Sequence, residues 1–81
     1  MHDNSAKLYF LRVFTNGTQR HQTEGITFPS RQELWHEAST SAGEIIREMD
    51  GNMHPGLDWR MDVSDSAGDL IYRFSFKAEE F

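Results

Sequence analysis

The chain has 81 residues, 37% of them hydrophobic, and a formal net charge of −5, because 13 acidic side chains outnumber eight lysines and arginines. A chain of this length forms a single domain, and its acidity disfavours nucleic acid as a partner, since phosphate binding requires clustered cations. The absence of cysteine excludes disulfides, thiolate metal sites and cysteine nucleophiles. With no secretory signal pattern and no apolar run of about 18 residues, we expect a cytoplasmic protein that makes no membrane contact.

The first predicted element is a strand over Lys7–Phe14, which is rich in aromatic and β-branched side chains. Both alternating faces of this strand are largely apolar, so it is expected at the centre of a sheet. Asn16-Gly17 then predicts a type I′ hairpin turn. Whether the polar return segment 18–24 pairs as a short edge strand or hangs as a loop stays open. Apolar alternation resumes at Ile26–Phe28.

A long amphipathic helix is predicted next. Ser30 is expected to be its N-cap, with Glu33 completing a capping box, and Asp50-Gly51 is expected to end it in a left-handed cap. These bounds give a helix of about 20 residues and a length of about 30 Å. Apolar residues recur at helical spacing and form one stripe, which consists of Leu34, Ala38, Ala42, Ile45 and Met49.

The strongest pattern in the chain is a β-hairpin near the C-terminus, in which two alternating segments flank an Asp-Ser-Ala-Gly turn at residues 65–68. One face of this hairpin is predicted to carry Trp59, Met61, Val63, Leu70, Tyr72, Phe74 and Phe76. Asp62 and Arg73 are expected to pair across the strands on the other face. A single hairpin cannot bury so much apolar surface by itself, so the helix is expected to cover it.

Together these elements predict an α+β fold in which residues 1–81 form one small domain, with an ordered core over about residues 7–76. The expected architecture is a two-layer sandwich, in which a four-stranded antiparallel sheet carries one helix on one face. The predicted element order is β-β-α-β-β.

Three features of the sequence resemble a known family. They are an aromatic first strand containing Tyr9-Phe10, a capped Ala-rich helix, and the segment Asp58–Asp65 (DWRMDVSD) followed by Gly68. Over roughly residues 8–76 the chain resembles the DUF6894 family of small bacterial proteins. It departs from the family on the first strand, where the family often has a histidine and an Asp-Gly end in place of Asn16-Gly17. The resemblance implies a domain type and a bacterial source, and it carries no catalytic residues.

A weaker similarity of pattern links the chain to the HicB-type antitoxins, which bind a small basic toxin. Those proteins also run from an aromatic strand through a Gly turn to an Ala-rich helix. Their usual Gly-Cys motif is missing from this chain, which has no cysteine, and the C-terminal hairpin differs. The similarity is therefore an analogy between patterns.

No catalytic, cofactor-binding or metal-binding set is predicted from the residues. The histidines, at positions 2, 21, 36 and 54, do not share a close metal-ligand spacing. The hairpin aspartates do not match the frame of a calcium loop, and no serine lies in a strand-turn-helix nucleophile elbow. We therefore expect a protein that is not an enzyme and uses no cofactor.

The candidate interface is the sheet face away from the helix, together with Trp35, which borders the apolar stripe and could be either a core residue or an interface anchor. Its predicted members are Phe10, Arg12, Phe14, Trp35, Arg60, Ile71 and Arg73. The preferred hypothesis is a protein-interaction domain that self-associates as a dimer. The alternatives are an antitoxin-like partner of a small basic protein, and a binder of small ligands or nucleic acid that uses the three arginines of the sheet face.

Overall fold

The structure is a computed structural model that describes residues 7–49, 51 and 53–81, so the predictions for residues 1–6 and Asp50 lie outside the described residues. The described residues form one helix and five strands, which confirms the α+β class. In chain order these elements are β1 (Lys7–Thr15), β2 (Thr18–Gln22), β3 (Ile26–Phe28), α1 (Arg31–Glu48), β4 (Asp58–Asp65) and β5 (Leu70–Lys77).

The sheet is antiparallel, and its strands lie in the order β2-β1-β4-β5, with β3 paired to β1. The prediction of four strands in the order β-β-α-β-β is corrected to five strands, with the helix between β3 and β4. The extra strand arises because regular strand pairing with β1 stops after Gln22 and resumes at Ile26. Thr23 stays bound to β1, since its amide donates to the carbonyl of Leu11 and its hydroxyl accepts from the Leu11 amide.

The core lies between α1 and the sheet face formed by alternate residues of β1 and β4. Its fully buried members are Tyr9, Leu11, Val13, Leu34, Ala38, Ala42, Trp59, Met61 and Val63. The alternation of β4 predicted Trp59, Met61 and Val63 correctly. The helical stripe predicted Leu34, Ala38 and Ala42 correctly, whereas Ile45 and Met49 of that stripe are only partly buried. Burying a large apolar side chain stabilises the fold by about 1.5–3 kcal/mol, so these residues supply much of the free energy of folding.

One residue of the predicted apolar face is placed differently. Leu70 stands opposite Ser64 and is 50% exposed, whereas Tyr72 stands opposite Val63. A β-bulge leaves Ile71 without a partner on β4, and such an extra residue breaks the alternation of side chains between the two faces. The prediction that Leu70 lies on the core face is therefore wrong.

Local sequence rules explain the turns and caps. The Ser30 hydroxyl accepts from the Glu33 amide at 3.2 Å and caps a helix of 18 residues, slightly shorter than predicted. Gly51 has a φ of +85°, as expected for the left-handed position after the helix. In the hairpin turn, the Asp65 carboxylate accepts from the amides of Ala67 and Asp69, which holds the turn closed.

Candidate interaction surfaces

The sheet face away from α1, called the outer face below, mixes cations with aromatic rings. The strand pairing places on it Phe10, Arg12, Phe14, Asp58, Arg60, Asp62, Ser64, Leu70, Arg73, Ser75 and Lys77. No other described element covers this face, and the phenylalanines on it are half-buried by their neighbours. Five of the seven residues predicted as an interface therefore lie together here.

Asp62 is the electrostatic centre of the outer face. Arg73 donates two hydrogen bonds to its carboxylate, at 2.7 and 3.1 Å. The Nε atom of Arg60 lies 3.3 Å from the same carboxylate, but its N–H is not directed at the oxygen and makes no hydrogen bond with the described residues. Asp62 thus holds two arginines, one by a bidentate pair and the other by charge alone.

The remaining contacts of the outer face also stay within the sheet. The guanidinium carbon of Arg60 lies 4.0 Å from the centroid of the Phe14 ring, a cation–π contact. Arg12 donates from Nε to the side-chain oxygen of Gln22 at 3.1 Å. Each arginine of this face therefore has a partner on a neighbouring residue or strand, although the face carries four cations, Lys77 included, against two aspartates.

One side of the helix is acidic. Four exposed glutamates at the spacing i, i+4, i+11 and i+15 fall within about 60° of the helix circumference, and these are Glu33, Glu37, Glu44 and Glu48. This acidic stripe runs above two grooves that separate α1 from β2 and β3, with volumes of about 750 and 230 Å³. The chain therefore has an acidic helix on one side and a net cationic sheet face on the other.

Trp35 lies apart from the outer face, on the side of the helix that faces β5. Its ring centroid is 5.0 Å from that of Tyr72, in an edge-on arrangement, and 5.2 Å from that of Phe74, in a stacked arrangement. These three residues form an aromatic cluster, and the Trp35 side chain remains 49% exposed. The Trp35 ring therefore packs against β5 on one side and is open to solvent on the other.

A cation borders the aromatic cluster. The guanidinium carbon of Arg31 lies 5.9 Å from the centroid of the Tyr72 ring. Contact with the side chain of Tyr72, and to a smaller extent with that of Tyr9, raises the pKa of Arg31 above its ordinary value. Arg31 therefore carries its charge beside the aromatic cluster throughout the physiological pH range.

Ile71 is the seventh predicted interface residue. It is half-buried at the bulge and packs against the core cluster, so the structure separates it from the arginines of the outer face. The sequence also did not predict the contacts of Trp35 with Tyr72 and Phe74, because those two residues were assigned only to the core. The acidic stripe could have been found from the spacing of its glutamates.

Among the described residues, no group of three or more histidine, cysteine, aspartate or glutamate side chains is arranged to hold a metal ion. The described histidines lie on different elements, His21 on β2, His36 on α1 and His54 in the loop before β4. No helix in the described part of the chain is long and apolar enough to cross a membrane.

Comparison with known proteins assigns the chain to a family. Neither the curated proteins nor the solved structures include a match. The profile of a domain of unknown function, DUF6894, matches residues 8–77, which span the helix and all five strands apart from Lys7, the first residue of β1. The chain is therefore a member of the DUF6894 family.

Proposed function

We propose that this protein is a non-enzymatic interaction domain that works as a homodimer. The observation that carries the proposal is the aromatic cluster of Trp35, Tyr72 and Phe74. It joins α1 to the edge strand β5 and leaves Trp35 half-exposed. Fixed aromatic side chains at a surface dominate the energetics of protein interfaces, because they bury a large area at little cost in conformational entropy.

Charge favours this cluster over the outer face as the dimer contact. Two outer faces packed against each other would bring eight cations together with only four aspartates, and like charges brought together at an interface cost several kcal/mol. Arg60 and Arg73 share the carboxylate of Asp62, which neutralises part of their charge within the sheet. The same engagement argues against nucleic acid as the partner of this face.

The solution mass tests the proposal. Light scattering on a sizing column, over a range of concentrations, is expected to give twice the 9.4 kDa mass of the chain. Trp35→Glu should shift the population to monomer, because it removes the exposed ring and places a charge in the contact. His36→Glu, which adds the same acidic side chain at the next, exposed position, should leave the dimer intact. A monomer at every concentration up to the millimolar range would refute the proposal.

A second candidate function is favoured by the acidic stripe of α1, which would suit a small basic partner protein. Its four glutamates line or overhang the grooves beside β2 and β3. A lysine-rich peptide titrated into labelled protein at low salt is expected to shift the amide resonances of α1 and β2. The double variant Glu44→Gln/Glu48→Gln should weaken these shifts, and shifts confined to other elements would contradict this candidate.

A further inference from the structure

β5 forms one edge of the sheet, and this edge is suited to strand pairing. It is eight residues long, contains neither proline nor glycine, and pairs on one side with β4, while no described residue pairs with its other side. The opposite edge of the sheet is different, because it is divided between β2 and β3, carries a bulge at Arg20 of β2, and is polar along β2. Bulges, short strands and polar residues are the usual protection against edge pairing. β5 has a bulge at Ile71 and polar side chains at its edge, but its pairing is regular from Tyr72 to Lys77, which leaves a longer unbroken edge than either β2 or β3.

The hydrogen bonds at the end of β5 show which backbone groups are free. The Ala78 amide donates to the carbonyl of Leu57, and the Ala78 carbonyl accepts from the amide of Gly56. Both groups of Ala78 therefore point towards the β4 side. Because successive residues of a strand alternate in direction, Arg73, Ser75 and Lys77 direct their backbone N–H and C=O groups to the free edge.

This alternation leaves few ways in which a second copy can pair with the same edge. Two copies related by a two-fold axis pair antiparallel, and the residues that face each other through hydrogen bonds must come from Arg73, Ser75 and Lys77 of each copy. The registers with substantial overlap place Arg73 opposite Arg73, Ser75 or Lys77 of the second copy. The first and third of these put like charges directly opposite, which destabilises a strand pair.

The remaining register is also favourable for the apolar side chains. It places Phe74 on the two-fold axis, opposite Phe74 of the second copy, and it places Tyr72 opposite Phe76. These are pairs without backbone hydrogen bonds, in which the two side chains approach most closely. Aromatic pairs opposite each other on a sheet are stabilising, so both charge and apolar contact select the same register.

We infer that the occupant of the β5 edge is a second copy of this chain, paired antiparallel to β5 with Phe74 on the two-fold axis. This inference rests on the proposed homodimer and specifies its contact. The axis is perpendicular to the sheet, so the two sheets join into one and both helices lie on the same side. The two aromatic clusters then flank the axis, and the second copy lies beside the exposed ring of Trp35.

The absence of cysteine from the chain allows the register to be tested by site-directed crosslinking. Arg73→Cys and Ser75→Cys chains are mixed in equal amounts and oxidised under mild conditions. Directly opposite Cα atoms are separated by about 5.5 Å, within the span of a disulfide. The mixture is expected to form crosslinked dimer at least about tenfold faster than either variant alone, since residues of the same number are offset along the strands.

Two further variants complete the experiment. Phe74→Cys alone is expected to crosslink with itself, because its Cα atoms face each other at about 4.5 Å. Thr18→Cys, at an exposed position on the opposite edge, is the control that reports random collision, and it should crosslink no faster than free thiols at the same concentration. The Arg73→Cys and Ser75→Cys pair avoids the aromatic cluster, so it remains informative if Phe74→Cys does not fold.

The outcomes distinguish the inference from the function on which it rests. A dimeric mass together with rapid crosslinking of the mixed Arg73→Cys and Ser75→Cys chains supports both. A dimeric mass with crosslinking no faster than that of the Thr18→Cys control overturns the β5 register and leaves the homodimer standing. A monomeric mass at all concentrations overturns both.

Discussion

At the scale of single residues, Ser64 is the most unusual side chain of the sheet. It is 3% exposed, and its hydroxyl has no hydrogen-bond partner among the described residues. It stands between Phe10 and Leu70 in the ladder, so apolar neighbours replace the water that the hydroxyl loses on folding. A buried polar group that is left without a partner carries a desolvation cost.

Ser64→Ala is therefore expected to leave the free energy of unfolding unchanged or to raise it by up to about 1 kcal/mol. The change removes the unpaired hydroxyl and keeps the small volume that fits beside Phe10. Urea denaturation followed by tryptophan fluorescence measures the difference. The control is Ser75→Ala, which alters an exposed serine on the adjacent strand and should change stability little. A clear destabilisation by Ser64→Ala would show that the hydroxyl has a partner after all.

Asp62→Asn is expected to lower the free energy of unfolding by about 1 kcal/mol at low salt. Asp62 is only 13% exposed, and without its charge Arg60 and Arg73 repel each other across the strands. The loss should shrink in about 1 M salt, where such interactions are screened. The matched control is Asp69→Asn, at an exposed position of the hairpin turn. Equal losses from the two variants would contradict a special role for Asp62.

The ion pair between Arg73 and Asp62 should contribute less stability in high salt, whereas titration of Arg73 should not change that contribution at moderate pH. The hydrogen bonds to Asp62, and secondarily its charge, raise the pKa of Arg73 above the ordinary arginine value. A base with a raised pKa contributes stability that is fully present below its unfolded-state pKa and is lost only as pH rises through the folded-state value. That window lies at strongly alkaline pH, so titration of Arg73 leaves stability unchanged between roughly pH 5 and 9.

At the scale of the elements, the start of α1 depends on one cap. Ser30→Ala removes the acceptor of the Glu33 amide and is expected to lower the free energy of unfolding by about 1 kcal/mol. Ser39→Ala is the control within the same helix, because the Ser39 hydroxyl donates back to the His36 carbonyl and caps nothing. Thermal unfolding followed by circular dichroism compares the two. A smaller effect at position 30 than at position 39 would contradict the cap assignment.

Elements with a single dominant pattern were predictable from sequence. The alternation of Trp59, Met61 and Val63 identified the buried face of β4, and the cap at Ser30 identified the start of α1. The bulge at Ile71 was not predictable, because it depends on how two strands meet rather than on either strand alone. That one extra residue moved Leu70 from the predicted core face to the surface.

The candidate site was predictable only in part, for a related reason. Alternation placed Arg12, Arg60 and Arg73 on one sheet face, as the pairing shows. The helical spacing could place Trp35 only at the border of the apolar stripe. Its contact with Tyr72 and Phe74 depends on where the helix axis crosses the sheet, which the packing of the whole core decides.

At the scale of the whole molecule, a dimer should be visible in the thermal stability. Binding that involves only the folded state makes the melting temperature depend on concentration. The Tm of the native chain is expected to rise by several degrees between about 5 and 500 μM, and the Tm of Trp35→Glu should stay nearly constant. Differential scanning calorimetry at matched scan rates measures both. A Tm independent of concentration in the native chain would count against the dimer.

The unequal protection of the two sheet edges has a consequence for the size of any assembly. If β5 pairs with β5, the edges that the described strands leave open are the divided β2 and β3 strands at both ends. Growth by further strand addition then has no regular template, so the assembly closes at two chains instead of extending into a fibre. The interruption between β2 and β3 would thus limit the continuous sheet to the strands of two chains.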